Sequence, residues 1–384
     1  MNFDLSPQQT QLRDAARKLA QEKFKAKAGY WDRHEEFPEE NKELLCKLGY
    51  LGLSMDEKYG GAGLGLVDTY LVVEELAKVD MTTALIVHDQ NVSPRIIANY
   101  GSEELKRRLI PKFISGEAEC SIAWTEPEAG SDATAITTSA VRDGDDYIVN
   151  GRKIFTTFGD RAQMHLVYAR FGPSKGAKGI GTIIVERDRP GVKVHSLQGK
   201  MGARGANENE MFFDSVRVPA ANVVTAGDPS SSKGFVQPLT VYNATRVGMG
   251  VLALGVAEGA FDLAKEYMQV RKQFGQKLCE MQGLRWMMAD MLIQIEAARC
   301  LCYKALALVD AGTPDPAMSS IAKVYATEMA IKVTLDCQQM FGGYGYFGDL
   351  PLERMVRDVR MLTITGGTTQ TQKNVIANHI FPNK

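Results

Sequence analysis

Two glycines in "TITGGTTQTQ", residues 363–372, sit where an apolar run gives way to a Thr/Gln-rich helix start. Bare backbone at such a junction can approach a ligand closely, because no Cβ stands in the way. "AWTEPEAGSDA", residues 123–133, ends a strand in Thr125 and Glu126 and then turns at Gly130 and Ser131. Exposed backbone and small hydroxyls at a strand end can bind a planar polar ring, although ordinary turn chemistry accounts for the same residues. In "GRKIFTTFGDRA", Phe155 and Thr157 are two apart and so share one side of a strand, an aromatic face beside a hydroxyl. "VRKQFGQKLCEMQ" sets Arg271 and Lys272 beside a break at Phe274 and Gly275, the arrangement that pyrophosphate binding needs. "FGGYGYFG" carries a formal GxGxxG at Gly343, Gly345 and Gly348. A helical segment precedes it rather than a strand, so a glycine turn ending that helix explains it better than a dinucleotide fold. Taken singly, each motif has a structural reading as good as its chemical one.

The elements that must position these residues fall into three zones. Residues 1–118 are mostly helical, with apolar residues at three- and four-residue spacing in "PEENKELLCKLGY", "VDTYLVVEELAKV" and "SEELKRRLIPKFISG". The first segment is an amphipathic helix with Ser6 as N-cap and Pro7 at N1. Residues 119–229 change to short β-branched runs between turn residues, and "DGDDYIVNG" is a hairpin signal. From 230 to 384 the chain is helical again, in segments long and apolar enough for a bundle core or a subunit interface. The expected fold class is α+β, with a helical, a β and a second helical domain.

Composition narrows the function. The formal net charge of −1 gives no nucleic-acid footprint. No apolar run approaches the roughly 18–20 residues of a membrane span, and the N-terminus lacks a signal-peptide core. Six cysteines are scattered without CxxC or Cys/His ligand spacing, which suits buried thiols in a reducing cytoplasm and no metal site.

Together, in order and spacing, "TEPEAGSD", "NGRKIFTT", "FDSVRVP", "RKQFG", "QMFGGYGY" and "LPLERMVRD" closely resemble the acyl-CoA dehydrogenase flavoproteins across essentially the whole chain. The resemblance implies an N-terminal α-bundle, a β-barrel-like middle domain and a C-terminal four-helix bundle. It also implies a homotetramer with FAD in each subunit, an acyl-CoA thioester substrate and an electron-transferring flavoprotein as electron acceptor. By the same resemblance, Ile122, Trp124 and Thr125 lie along the isoalloxazine, with Phe155 and Thr157 against its other edge. Arg271, Gln273 and Phe274 contact the FAD of a neighbouring subunit, Gln339 and Gly343 hold its ADP half, and Thr368 and Gln370 are further FAD contacts. Ser131 and Arg246 resemble residues of the CoA channel.

One functional group is missing. Most of the family places a catalytic glutamate at the position of Gly366, and a subset places it at the position of Thr245; this chain has neither. A threonine hydroxyl is far too weak a base at neutral pH. The Gly366 N–H survives, and in the family it polarises the thioester carbonyl. Another base is therefore expected in the acyl pocket, on the helix "DMTTALIVHDQNVSPRI". There Asp89 lies one turn from Leu85 and Ile86 and near Val92, on an apolar face that should raise its pKa. His88 points about 100° away around the helix. A base displaced from the α-carbon suits a substrate that already has an α,β double bond, whose γ-proton is acidified through the conjugated thioester. The chain accordingly resembles the cyclohex-1-ene-1-carboxyl-CoA dehydrogenases, which form a conjugated cyclic diene by 1,4-elimination.

Three rivals remain at this stage. A sulfinate-releasing desulfinase also lacks both glutamates and shares the "NxxRVGxG" pattern of "NATRVGMG", but it needs a pocket arginine for its anionic substrate, and here Arg95 comes late on the helix. An enoyl-CoA reductase is the same flavin chemistry reversed. A catalytically inactive FAD-binding subunit would keep the cofactor motifs and lose the base.

Overall fold

The structure, a computed structural model, describes residues 4–382. Residues 1–3 and 383–384, at the outer edges of the first and third zones, lie outside the described residues. The N-terminal zone comprises α1 (Pro7–Leu19), α2 (Lys25–His34), α3 (Glu39–Lys47), α4 (Leu66–Ala77), α5 (Met81–Asp89), α6 (Ser93–Tyr100) and α7 (Glu103–Ser115). The start of α1 is built as its sequence requires. Ser6 Oγ accepts from Gln9 N at 3.1 Å, Gln9 Oε1 accepts from Ser6 N at 3.0 Å, and Pro7 occupies the first turn.

The expected single helix around Asp89 is instead two. Asp80 caps α5 by accepting from Thr83 N at 3.2 Å, and the helix stops at Asp89. Val92 leaves helical geometry at φ −106°, ψ −94° before α6 restarts with Pro94 in its first turn. Proline disfavours helix at the residue before it and fits a first turn, so the break falls just upstream. Asp89 thus ends a helix rather than sitting mid-face.

The middle zone is an eight-stranded sheet: β1 (Cys120–Ala123), β2 (Ser139–Asp143), β3 (Asp146–Thr157), β4 (Met164–Arg170), β5 (Ile180–Glu186), β6 (Val192–Leu197), β7 (Glu208–Pro219) and β8 (Val223–Thr225). Its order is β6-β7-β3-β2-β4-β5-β8, with β1 running parallel to β4. The hairpin expected at "DGDDYIVNG" closes through Gly144 at φ 61°, the positive angle a two-residue loop demands at its first position.

The C-terminal zone holds three long helices, α8 (Lys233–Val270), α9 (Gln282–Asp310) and α10 (Pro316–Phe341), followed by α11 (Leu352–Leu362) and α12 (Thr369–Ile380). A short hairpin of β9 (Lys272–Gln273) and β10 (Gln276–Lys277) lies between α8 and α9. By length and composition α8 could cross a membrane, but its most apolar window is 78% buried in the bundle, as a core helix is. It packs directly on α4. A Cβ at Gly255 would fall 2.5 Å from the Glu74 carbonyl oxygen, so glycine there sets the interhelical approach. Among the cysteines, Cys120, Cys302 and Cys337 are buried, but Cys300 is exposed, against the expectation of uniformly buried thiols.

Candidate active site

Where the three zones meet, a cavity of about 630 Å³ gathers residues far apart in sequence. Asp89 lines it together with Ile122, Trp124, Thr125, Ser131, Phe155, Thr157, Thr245, Arg246, Gly366 and Thr368. Leu85, Ile86, Val92 and Met249 supply its apolar wall. Two expected members behave differently. Gln370 is exposed in the first turn of α12 and does not line the cavity, whereas Thr368 and Thr371 on either side of it do. Phe155 and Thr157 both face the cavity, but not by simple strand alternation. The β3–β7 register shifts between Lys153 and Thr156, and Phe155 has φ 55°, so an irregularity turns the aromatic ring to the cavity with 63% of its surface exposed.

A second cleft, of about 580 Å³, gathers Arg271, Gln273, Gln339 and Gly343 beside Tyr344 and Phe347. The glycine-rich segment after α10 is a 3₁₀ turn, as expected from the missing strand. Phe274 does not enter this cleft. With Gly275 it forms the hairpin tip, both residues at positive φ, and 94% of its surface points outward.

Strand-end motifs are held from beneath. Glu126, 5% exposed, accepts from Lys153 Nζ at 2.8 Å, Thr137 N at 2.7 Å and Thr138 N at 2.9 Å. Burial opposes its charge, but the Lys153 ammonium and these donors hold the carboxyl down at about 2. Lys153 also donates to the Trp124 carbonyl at 2.8 Å, so one ion pair fixes the backbone on both sides of Thr125. Trp124 itself stacks on Tyr168 at 4.3 Å.

The double-glycine loop is clamped by its carbonyls. Arg246 Nε donates to Gly366 O at 3.1 Å, Gln372 Nε2 to the same oxygen at 3.3 Å, and buried Lys323 Nζ to Gly367 O at 2.8 Å. Both glycines take positive φ, 69° and 92°.

Asp89 is the chemically unusual group. Among the described residues no hydrogen bond or ion pair reaches its carboxyl. Burial, then the charges of Glu208 and Glu119, push it up to about 8, with Lys200 opposing. Its place at the C-terminal, negative end of α5 works in the same direction. His88 faces away, as its 100° offset requires: its Nδ1 lies 3.0 Å from the Tyr70 hydroxyl, against Gly248 of α8, and burial lowers it to about 4.

Sequence reasoning missed Glu208, Lys200 and Tyr242, which also line the cavity. Glu208 reaches it through the cross-strand pair Thr157↔Glu208, a contact between residues 51 apart in the chain that no local spacing encodes.

Profiles of the acyl-CoA dehydrogenase N-terminal, middle and C-terminal domains match residues 6–117, 121–216 and 232–381. The chain belongs to the acyl-CoA dehydrogenase family. The chain is 39% identical to the short-chain-specific acyl-CoA dehydrogenase of Clostridium acetobutylicum, over 99% of this chain and 100% of that one. It is 41% identical to the 3-sulfinopropanoyl-CoA desulfinase of Paraburkholderia xenovorans, over 100% and 98%. Butyryl-CoA dehydrogenase from Megasphaera elsdenii superposes with a TM-score of 0.95 at 34% identity, covering 99% of this chain and 100% of that one.

Proposed function

We propose that this acyl-CoA dehydrogenase oxidises an alicyclic, already unsaturated acyl-CoA, taking cyclohex-1-ene-1-carboxyl-CoA to cyclohexa-1,5-diene-1-carboxyl-CoA by 1,4-elimination. The observation that carries the reading is the unpaired Asp89 carboxyl in the apolar wall, in a cavity where Gly366 and Thr245 supply no base. Members of the family use FAD, and this cavity suits it. Trp124 Nε1 and Thr245 Oγ1 are buried there without a partner, polar atoms that a bound polar group would satisfy. The residues assigned to FAD are Ile122, Trp124, Thr125, Phe155, Thr157 and Thr368 in this cavity, with Arg271, Gln273, Gln339 and Gly343 of the second cleft and the exposed Phe274 assigned to the FAD of a neighbouring subunit. When bound, FAD supplies the hydride acceptor.

The chain's own residues do the rest. Arg246, Gln372 and Lys323 fix the double-glycine loop, and we assign the Gly366 N–H to the thioester oxygen, where it polarises the carbonyl and acidifies the conjugated γ-position. Asp89 takes the γ-proton; its raised proton affinity makes it a stronger base than a surface aspartate. Leu85, Ile86 and Val92 keep water from that carboxyl and pack against a ring. Ser131 and Arg246 stand at the cavity wall for the CoA portion. An electron-transferring flavoprotein would be the electron acceptor, and the exposed Phe274, Trp286 and Ile293 fit burial in a homotetramer.

The desulfinase is the second reading, favoured by the 41% identical relative. It needs a cation for the sulfinate on the acyl wall, where α5 offers Leu85, Ile86 and a carboxylate; Arg95 does not line the cavity, and the cavity's Lys42 and Lys200 are paired with Glu119 and Glu208.

Anaerobic mixing of the FAD-loaded enzyme with cyclohex-1-ene-1-carboxyl-CoA tests the proposal. Rapid flavin bleaching by the ring ester, none by butyryl-CoA, and loss in Asp89→Asn is the expected result. No bleaching of the wild type by the ring ester would sink the dehydrogenase reading and favour the lyase or an inactive subunit.

A further inference from the structure

The cavity holds more acid than this reaction uses. Glu208 opens β7, and the Thr157 hydroxyl lies 3.2 and 3.1 Å from its two carboxylate oxygens. Lys200 Nζ stands 3.6 Å from the same carboxylate and donates to the Ala206 carbonyl, so the ammonium is tethered beside Glu208.

The charges facing Asp89 come from several elements: Glu208 from β7, Glu119 from the residue before β1, and Lys200 from the β6–β7 loop. Tyr70 of α4 and Tyr242 of α8 also feel its charge, and Lys42 of α3 and Arg246 of α8 line the same or adjoining wall. Glu119 is compensated twice, by an ion pair with Lys42 and by Arg161 at 3.3 Å. Glu208 has the single longer contact with Lys200. Its charge is therefore the less cancelled of the two, and it acts on Asp89 ahead of Glu119.

We propose that Glu208 is a positioning residue for Asp89: the two carboxyls line one cavity, and the charge of Glu208, held there beside Lys200 and the Thr157 hydroxyl, keeps Asp89 a strong base. The proposal rests on Asp89 being the base, but the pairing itself does not depend on which ester is turned over. Two carboxylates in a low-dielectric cavity repel, so ionising the second costs more than ionising the first. That repulsion raises the proton affinity of ionised Asp89, which is what abstraction from carbon needs. Burial already pushes Glu208 up to about 7, with Lys200 and the Thr157 hydroxyl opposing, so Lys200 decides which acid ionises first. In the reverse direction, protonated Asp89 returns the proton to carbon.

The test needs no substrate. In the FAD-loaded protein, the protonated-carboxyl stretch of Asp89, assigned by its loss in Asp89→Asn, is followed through a pH titration by infrared difference spectroscopy. Glu208→Gln should lower the Asp89 midpoint by about one pH unit. The acid limb of ring-ester bleaching should move the same way. An Asp89 midpoint unmoved in Glu208→Gln overturns the pairing, whatever the activity. A shifted midpoint with no bleaching by the ring ester upholds the pairing and removes the dehydrogenase reading. If Glu208→Gln does not fold, Glu208→Ala takes its place, and an unmoved midpoint there overturns the pairing.

Discussion

Replacing Asp89 by Asn should make the protein more stable while removing its activity, and the gain should grow with pH. The Asp89 carboxyl goes from its ordinary 3.8 to about 8 on folding, because burial and neighbouring negative charge penalise the ionised form. Below 3.8 both folded and unfolded chains carry the proton, and the side chain costs nothing. Between 3.8 and about 8 the unfolded chain has released the proton and the folded chain has kept it, so stability falls as pH rises. Each pH unit of that window is about 1.4 kcal/mol, which gives an upper bound of about 6 kcal/mol above pH 8. Water drawn toward the carboxylate reduces this, and a measured difference of about 2–3 kcal/mol is expected. Asn keeps the shape and has no charge to bury, so its curve lacks this slope. The assay is urea unfolding of FAD-loaded wild type and Asp89→Asn from pH 4.5 to 9, following flavin and tryptophan fluorescence. Other titrating groups are common to both proteins and largely cancel in the difference. The two curves should lie closest at pH 4.5 and diverge toward alkaline pH. Parallel curves, or an Asn variant that is less stable at pH 8, would mean that the carboxylate has a stabilising partner, and the account of a desolvated base would be wrong.

Three further outcomes follow from the same geometry. The bleaching rate with the ring ester should climb with pH through about 8, where Asp89 loses its proton, and a profile flat from pH 6 to 9 would exclude Asp89 as the titrating base. Gly366→Glu puts a carboxylate on the double-glycine loop at φ 69°, with its Cβ 3.3 Å from the flexible Met249 side chain. It should fold at a cost of about 1–2 kcal/mol and gain flavin bleaching by butyryl-CoA, measured against wild type; a folded variant still inert to butyryl-CoA would show that the missing glutamate is not what excludes saturated esters. Glu126→Ala removes the carboxylate that holds the proton on Lys153, which is 0% exposed, and breaks a buried ion pair, so it should lower the unfolding free energy by about 3–5 kcal/mol at pH 7. Wild type should lose that contribution as pH falls below 4.5 toward about 2, where Glu126 protonates in the folded state.

Local signals carried the architecture because each depends on residues near one another in the chain. Ser6, Pro7 and Gln9 close a capping box within four residues, and Gly144 turns a hairpin within two. The domain zones, the cavity-lining motifs and Asp89 itself were legible for that reason, together with the resemblance that put the motifs in order. Where reading failed, the cause was a contact with no local spacing. The helix through Asp89 breaks at Val92, and the three-residue relation of Asp89 to Val92 arises from a turn rather than a helix face. Phe155 reaches the cavity through a register shift set by its pairing with β7, which alternation along β3 does not encode. Glu208 went unseen because its meaning comes wholly from lying opposite Thr157, and Lys200 because a loop returns it to the same wall. The consequence bears on how such sites change. A glutamate at the position of Gly366 is one local substitution, whereas a usable Asp89 requires the apolar faces of α5 and α8 and a charge arrangement on β7. Installing aspartate at position 89 in a relative that lacks this surrounding charge pattern should therefore give a lower midpoint for that carboxyl and a weaker base. The infrared titration of such a variant would show it, and an equal midpoint there would mean that burial alone sets the basicity.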